Sequence, residues 1–317
     1  MLDAADRYRT VVDEGSLALG SLSATELCDA LERFADLLEP LADGRQVAIM
    51  DFAYEIECWD TVTLADLWYV PDDRVPRDTR VRLARLLDKC RAVTPSEADL
   101  PQEIRVHGTT RETSWGMAHA LNRCAAGWMT SCLVVHSPLW SSGWISVEHE
   151  SGRTELHILT DETEIPDFWR GVILREQVPE ASFFAMAASA FPGLLLADSL
   201  GFHHFRGVYT EVLPWVVRVL AAVDDHFAEI LAEHHGDHNR VISEFSALGI
   251  DISPESPKTK KDKRAWAQRN IEYRGREYRC EWHGKRLWDR DRIHFSLPLA
   301  EHDGKILIGV FDGHLDT

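Results

Sequence analysis

Charge is divided along this chain in a way that one uniform globular body would not need. Residues 1–250 carry 20 basic and 40 acidic side chains, a balance of −20. Residues 258–294 carry 5 Lys and 8 Arg against 6 Asp or Glu, a balance of +7. The whole chain stands at −18. That excess favours solubility and argues against a general affinity for membranes or nucleic acid. A basic stretch inside so acidic a chain therefore asks for something anionic to meet it. The chain has 317 residues, which suggests about two domains. The charge break predicts where they divide: an acidic α+β body over residues 1–250 and a small basic module over residues 251–317.

Within the body, Ser23 and Glu26 form the S-x-x-E pattern of a capping box. Leu27, Leu31, Phe34, Leu38 and Leu41 then recur at helical spacing, predicting a helix over Ser23–Leu41 with Asp43-Gly44 as its stop. Gln46–Ile56 reads as a strand. Thr79–Cys90 reads as a helix presenting Val81, Ala84, Leu87 and Cys90, with Asp78 as its cap. Thr113–Ala126 fits a helix. Cys132–His136, Trp144–His149 and Thr154–Leu159 fit short strands, with Ser151-Gly152 as the turn between the last two. Pro179–Phe191 reads as a buried helix. Thr210–His235 is the longest helical pattern, with Pro214 early enough to be tolerated and Gly236 as its end. Arg240–Leu248 follows as a shorter helix.

After Gly249 the composition changes. Asp251–Pro257, with two prolines and two serines, reads as a linker. Lys258–Asn270 reads as a basic helix. Strands are predicted at Glu277–His283, Arg292–Leu297 and Lys305–Phe311, with Asp303-Gly304 as a hairpin turn. The expected fold class is thus α+β: a mixed N-terminal body with a helical second half, plus a C-terminal helix and three-stranded antiparallel meander.

The basic run has two natural partners. One is a nucleic-acid backbone, where each Lys or Arg contact releases counterions. Lys258, Lys260, Lys261, Lys263, Arg264, Arg269 and Arg286 would supply those contacts. Trp266, Tyr273, Tyr278, Trp282 and Trp288 would stack on unpaired bases, which favours RNA. The other partner is an acidic protein surface, on this chain or on a partner subunit. Ordinary solvated strand and helix exteriors are the plain alternative. In the predicted meander, alternation puts Arg292, His294 and Ser296 on one face and Ile293, Phe295 and Leu297 on the other. The apolar set would pack on the helix and leave the polar set exposed. His283, Lys285 and His314 would neighbour it. Such a group has the parts for RNA cleavage without metal: His takes the 2′-hydroxyl proton, and Arg and Lys stabilise developing charge.

The order of basic helix and three strands, with RIHF on one strand and KILIGVF on the next, resembles the C-terminal part of RelE/ParE-type toxins. The resemblance covers about the last 60 residues. In the RelE branch a small twisted sheet carries basic and His or Tyr residues and cleaves ribosome-bound mRNA, and His314 matches the position of a C-terminal catalytic Tyr or His. The runs AFPGLLLADSL, PESPKTKKDKR and WHGK with WDRDRIHF also resemble uncharacterised bacterial proteins of phage-defence loci. Together these imply a defence or toxin-type effector that engages nucleic acid through its basic module, in the further case as a metal-independent ribonuclease. The alternative is a non-catalytic sensing or scaffolding subunit of a multi-protein antiphage complex, working with partner proteins of that system.

Other constellations carry less. His226, His234, His235 and His238 sit near acidic residues, but Gly236 interrupts the helix that would align His234 with His238. No zinc is expected there, and no cofactor elsewhere. Asp51, Glu55 and Glu57 would be the place to look for a metal-dependent hydrolase. His203-His204 reads as core or interface. Trp140, Trp144, Trp169 and Trp215 belong to a large core or a partner surface. GxGxxG, GxxxxGK[ST] and GxSxG are all missing, so phosphate-cradle and nucleophile-elbow folds lack their signatures. The six cysteines have no CxxC spacing. The first residues, MLDAADRYRT, lack the positive start and apolar run of a secretory signal. No apolar stretch reaches the roughly 18–20 residues of a membrane helix. A reducing cytoplasm, with no membrane partner, is the expected compartment.

Overall fold

The computed structural model describes residues 8–42, 46–70, 73–94, 100–150, 152–287, 290–313 and 315. The chain forms two compact units, divided between Phe168 and Trp169. The expected division at residue 250 is not where this one falls. The fold class is α+β. Among the described residues no helix is long and apolar enough to cross a membrane.

The first unit contains β1 (Thr10–Val12), α1 (Ala24–Ala42), β2 (Val47–Met50), β3 (Glu57–Trp59), β4 (Val62–Thr63), α2 (Asp66–Tyr69), α3 (Arg77–Lys89) and β5 (Arg91–Val93). It continues with β6 (Glu103–Val106), β7 (Thr109–Glu112), α4 (Trp115–Ala125), β8 (Ser131–Leu133), β9 (Gly143–His149) and β10 (Gly152–Leu159). The helix α5 (Ile165–Arg175) spans the division. The capping box of α1 is made as the sequence predicts: Ser23 N–H donates to Glu26 Oε2 at 2.9 Å, and Glu26 N–H reaches Ser23 Oγ at 3.4 Å. Leu27, Leu31, Phe34, Leu38 and Leu41 are all buried. The expected stop at Asp43-Gly44 lies outside the described residues.

An eight-stranded sheet runs in the order β5-β2-β1-β8-β10-β9-β6-β7. Its first five strands are parallel, and β9, β6 and β7 extend it antiparallel. The order reverses between β1 and β8, the position where open α/β sheets form crevices at their carboxyl ends. There Glu14, just after β1, accepts the N–H groups of Trp115 and Gly116, each at 2.6 Å. The start of α4 is thereby filled by the protein's own carboxylate. A Cβ on Gly116 would lie 2.3 Å from Val12 O, so only glycine lets the helix approach this closely.

Two expectations here are corrected. Gln46–Ile56 is a strand only to Met50; a 3₁₀ turn follows at Asp51–Glu55. α3 buries Thr79, Leu83, Leu86 and Leu87 while Val81 is exposed, and its N-cap is Pro76 rather than Asp78. The buried face lies part of a turn away from the expected one, because Leu83 and Leu86 hold the larger apolar groups.

The second unit contains α6 (Glu180–Ala190), β11 (Leu194–Leu196), α7 (Tyr209–Ala222), a π turn at Val223–Phe227, α8 (Ala228–Glu233) and α9 (His238–Ala247). Then come β12 (Ile252–Pro254), α10 (Pro257–Lys261), α11 (Lys263–Ala267), β13 (Asn270–Tyr273) and β14 (Arg276–Arg279). The last strands are β15 (Trp282–Leu287), β16 (Arg290–Leu299) and β17 (Lys305–Asp312). Strands β15, β16 and β17 form an antiparallel meander. That meander is the centre of a five-stranded sheet, β11-β17-β16-β15-β12. The parallel strand β11 comes from the AFPGLLLADSL run.

Asp251–Pro257 is not a linker. Ile252 is buried, and Ser253 and Pro254 pair with His283 and Trp282. Pro254 is tolerated because β12 is an edge strand and its missing N–H faces no neighbour. The predicted helix over Lys258–Asn270 is broken in two at Asp262, whose carboxylate caps α11.

Candidate functional site

Register shifts in β16 break the expected alternation before Leu297, but His283 and His294 pair on the meander, as do Trp282 and Phe295, and both of its faces are covered. On one, Trp282 and Phe295 pack against Phe227 of the π turn, at ring-centroid distances of 5.2 and 5.0 Å. On the other, the expectation of an exposed polar face is overturned. His294 is 0 % exposed and Ser296 1 %, whereas Leu297, expected to pack inward, is 39 % exposed. The segment from Glu255 to Cys280 folds back over this face. Tyr278, Cys280 and Leu307 pack together, and a Cβ on Gly309 would meet Cys280 Sγ at 2.4 Å. Burial pushes the Cys280 thiol up to about 12, so it stays a packed thiol.

Beneath this cover lies a polar cluster. His283 and His294 are cross-strand partners on β15 and β16, with ring centroids 5.1 Å apart. Glu255 follows β12 and is tied to the sheet by its N–H, which donates to Glu281 O at 2.8 Å. Its Oε1 lies 3.6 Å from His283 Nδ1 and 3.5 Å from His294 Nδ1. The same oxygen accepts from Arg269 Nε at 2.9 Å, and Arg269 Nη1 donates to Ala265 O at 2.7 Å. Ser253 Oγ sits 3.2 Å from His283 Nε2. Glu255, Arg269, His283 and His294 are all buried. Sequence reasoning found both histidines and Arg269 but missed Glu255 and Ser253. The available signal was Ser256-Pro257, a cap-and-first-turn pair that starts a helix and so limits any linker before it.

The remaining predicted site residues do not join this cluster. Arg292 lies half-buried on β16, in register with Lys285 and Asp312. Lys285 Nζ is 3.4 Å from Asp251 Oδ1. Arg286 Nη1 lies 3.2 Å from the buried Asp291 carboxylate, and its Nη2 donates to Glu211 O. His314, like Trp288 and Ser151, lies outside the described residues. Arg269 is 1 % exposed and therefore is not a surface phosphate contact.

The rest of the basic run is on the surface. Lys258, Lys260, Lys261, Lys263 and Arg264 are exposed on α10 and α11, and Arg274, Arg276 and Arg279 on the hairpin of β13 and β14. The ring of Trp266 is half-buried among them. Lys260 Nζ lies 5.4 Å and the Arg279 guanidinium 4.4 Å from its centroid, both within cation–π range. Lys260 also reaches Glu281 at 3.0 Å, and Arg279 Nε donates to Asn270 at 2.8 Å. The N–H groups of Ala265 and Arg264 hold the Asp262 carboxyl below its ordinary range.

Two groups among the described residues bring three possible metal ligands together: Glu255, His283 and His294, and, in the first unit, His157, Glu164 and Asp167. Asp51, Glu55 and Glu57 are each exposed and are not in either group. His234 instead lies 3.7 Å from Glu244, and His238 stacks edge-on against Trp282. His203 and His204 lie between the buried Phe202 and Phe205, with their rings tilted and their centroids 3.9 Å apart. Comparison of the chain with protein-family models, with curated proteins and with solved structures finds no match.

Proposed function

We propose that the chain is a cytoplasmic effector of the bacterial toxin or antiphage-defence type that engages nucleic acid, RNA in preference, through its C-terminal basic surface. One observation carries this reading: α10, α11 and the hairpin of β13 and β14 expose eight Lys and Arg side chains, two of which, Lys260 and Arg279, lie against the half-buried ring of Trp266. Cations spaced around an aromatic plane suit a single strand, where phosphates meet the charges and a base stacks on the ring. The alternative partner, an acidic protein surface, needs the charges but not the aromatic plane.

Cleavage is a separate matter. A general base must come within hydrogen-bond reach of its proton, and His294 lies beneath Glu255 and Arg269. That burial favours the second reading, a sensing or scaffolding subunit that binds without cutting.

The test is binding of a short single-stranded RNA to the full chain across a salt series. Affinity should fall steeply with salt. The triple variant Lys260→Ala, Arg264→Ala, Arg279→Ala should lower the log–log slope by about 0.7 for each phosphate-binding cation removed. Trp266→Ala should weaken binding by about 1–3 kcal/mol. Equal affinity of wild type and triple variant, or an affinity indifferent to salt, refutes the reading and leaves the protein-surface partner. Incubation of the same RNA in EDTA, with and without translating ribosomes, separates an effector that cuts from a subunit that does not.

A further inference from the structure

We propose that Glu255, His283 and His294 form a binding site for a divalent ion of the zinc class, one that fastens β12 and the Glu255–Cys280 cover onto the meander. The proposal goes beyond RNA engagement and does not depend on it.

The geometry comes first. Both imidazoles turn Nδ1 toward one carboxylate oxygen, at 3.5 and 3.6 Å. A hydrogen bond to a carboxylate would bring nitrogen to about 2.7–2.9 Å. Ligands on a tetrahedral ion at bonds of about 2.0–2.1 Å are separated by about 3.3–3.4 Å. The spacing here is close to that edge. All three ligand atoms lie within 4.8 Å of one another.

The scaffold is consistent with it. The donors come from β15, β16 and the residue that follows β12, and their register is set by backbone pairing, with Ser253 opposite His283 and His283 opposite His294. Ligating histidines and carboxylates are usually oriented by a further hydrogen bond. With Nδ1 given to the ion, His283 Nε2–H is placed to donate to Ser253 Oγ, and Arg269 Nε donates to Glu255 Oε1.

The donor set selects the ion. Calcium and magnesium take about six or more ligands, nearly all oxygen, and this site has a single carboxylate whose charge is already shared with Arg269. Two neutral imidazoles and one carboxylate suit zinc or its first-row neighbours. Three protein donors leave the fourth position of a tetrahedral ion to water or another group; the fastening role rests on the three buried segments that the donors would tie together. The His157, Glu164 and Asp167 group offers one imidazole and two carboxylates that are partly or largely exposed, and serves as the internal control.

The experiment uses the full chain, stripped with chelator, equilibrated with zinc and desalted. About one zinc per chain should remain by elemental analysis. His283→Gln and His294→Gln should each lose it, His157→Gln should keep it, and Ser253→Ala should weaken zinc binding by about 10–100-fold. Failure of the wild type to retain zinc overturns the proposal. So does zinc retained in both folded histidine variants, or lost only in His157→Gln. If circular dichroism shows that the glutamine variants do not fold, cobalt titration of the wild type decides. Visible absorption of nitrogen-ligated tetrahedral cobalt, saturating at one equivalent, supports the site, and its absence refutes it.

Discussion

Removal of Arg269 alone should damage the second unit more than removal of Arg269 together with its partner. Arg269 and Glu255 side chains are 2 % and 4 % exposed, with Nε and Oε1 2.9 Å apart. Arg269→Met leaves the Glu255 carboxylate buried beside two imidazoles with its main compensating charge gone. Breaking such a pair from one side costs about 3–5 kcal/mol. Ala265 O also loses its donor, worth about 1 kcal/mol. The double variant Arg269→Met, Glu255→Leu removes both charges and fills the volume with apolar atoms. Replacements of that kind are often neutral or better, so the double should regain about 2–4 kcal/mol relative to the single. Eleven tryptophans spread over two units would blur a fluorescence melt. Hydrogen exchange of β15 and β16 peptides in the full chain, across a urea series with chelator present, reads the second unit by itself. Equal losses in the single and double variants would refute the buried-charge argument. So would a single-variant loss below about 1 kcal/mol, the range of an exposed pair.

Two further outcomes concern the first unit. Gly116→Ala should cost about 1–3 kcal/mol or more, because the new Cβ meets Val12 O at 2.3 Å and Glu14 Oε2 at 2.7 Å and backbone cannot yield as a side chain does; exchange of β1 and α4 amides reads the loss. Burial pushes the Asp13 carboxyl up, against the Ser114 hydroxyl and the Gly15 N–H. With the folded value above the unfolded one, its contribution is full below the unfolded value and is lost as pH rises through the folded value. Asp13→Asn should therefore gain stability relative to wild type as pH rises above about 4; a gap between the two proteins that stays constant with pH counts against this.

Local chemistry was legible where its partners are local. Ser23 and Glu26 are three residues apart and close their own box, so the start of α1 could be read directly. Asp303-Gly304 likewise falls at the turn between β16 and β17, with Asp303 at φ 56° and Gly304 at φ 78°. What failed were elements whose reasons lie far along the chain. The three residues of β11 make a strand because β17 pairs with them. Ile252–Pro254 looks like a linker until His283 and Trp282 are set beside it.

The same limit decided the candidate site. Period-two alternation placed Arg292, His294 and Ser296 opposite Ile293, Phe295 and Leu297; it separates His294 from Ile293 and Phe295, but fails at Leu297, past the register shift at Phe295. Alternation says which side chains share a face; it does not say whether water or protein meets that face. The basic run was read as one surface because its residues are of one type. Arg269 belongs to that run by composition, yet it sits under the sheet cover, while Lys258 and Arg276 remain in water. The difference is made by two acceptors, the Glu255 carboxylate and the Ala265 carbonyl. Without them, burial of a guanidinium would cost several kcal/mol. Arg269 has two convergent acceptors, and it shares one of them, the Glu255 carboxylate, with the histidine pair. The exposed cations and the enclosed cluster are thus two chemistries in one stretch of sequence, the first suited to a polyanion and the second to an ion that prefers nitrogen.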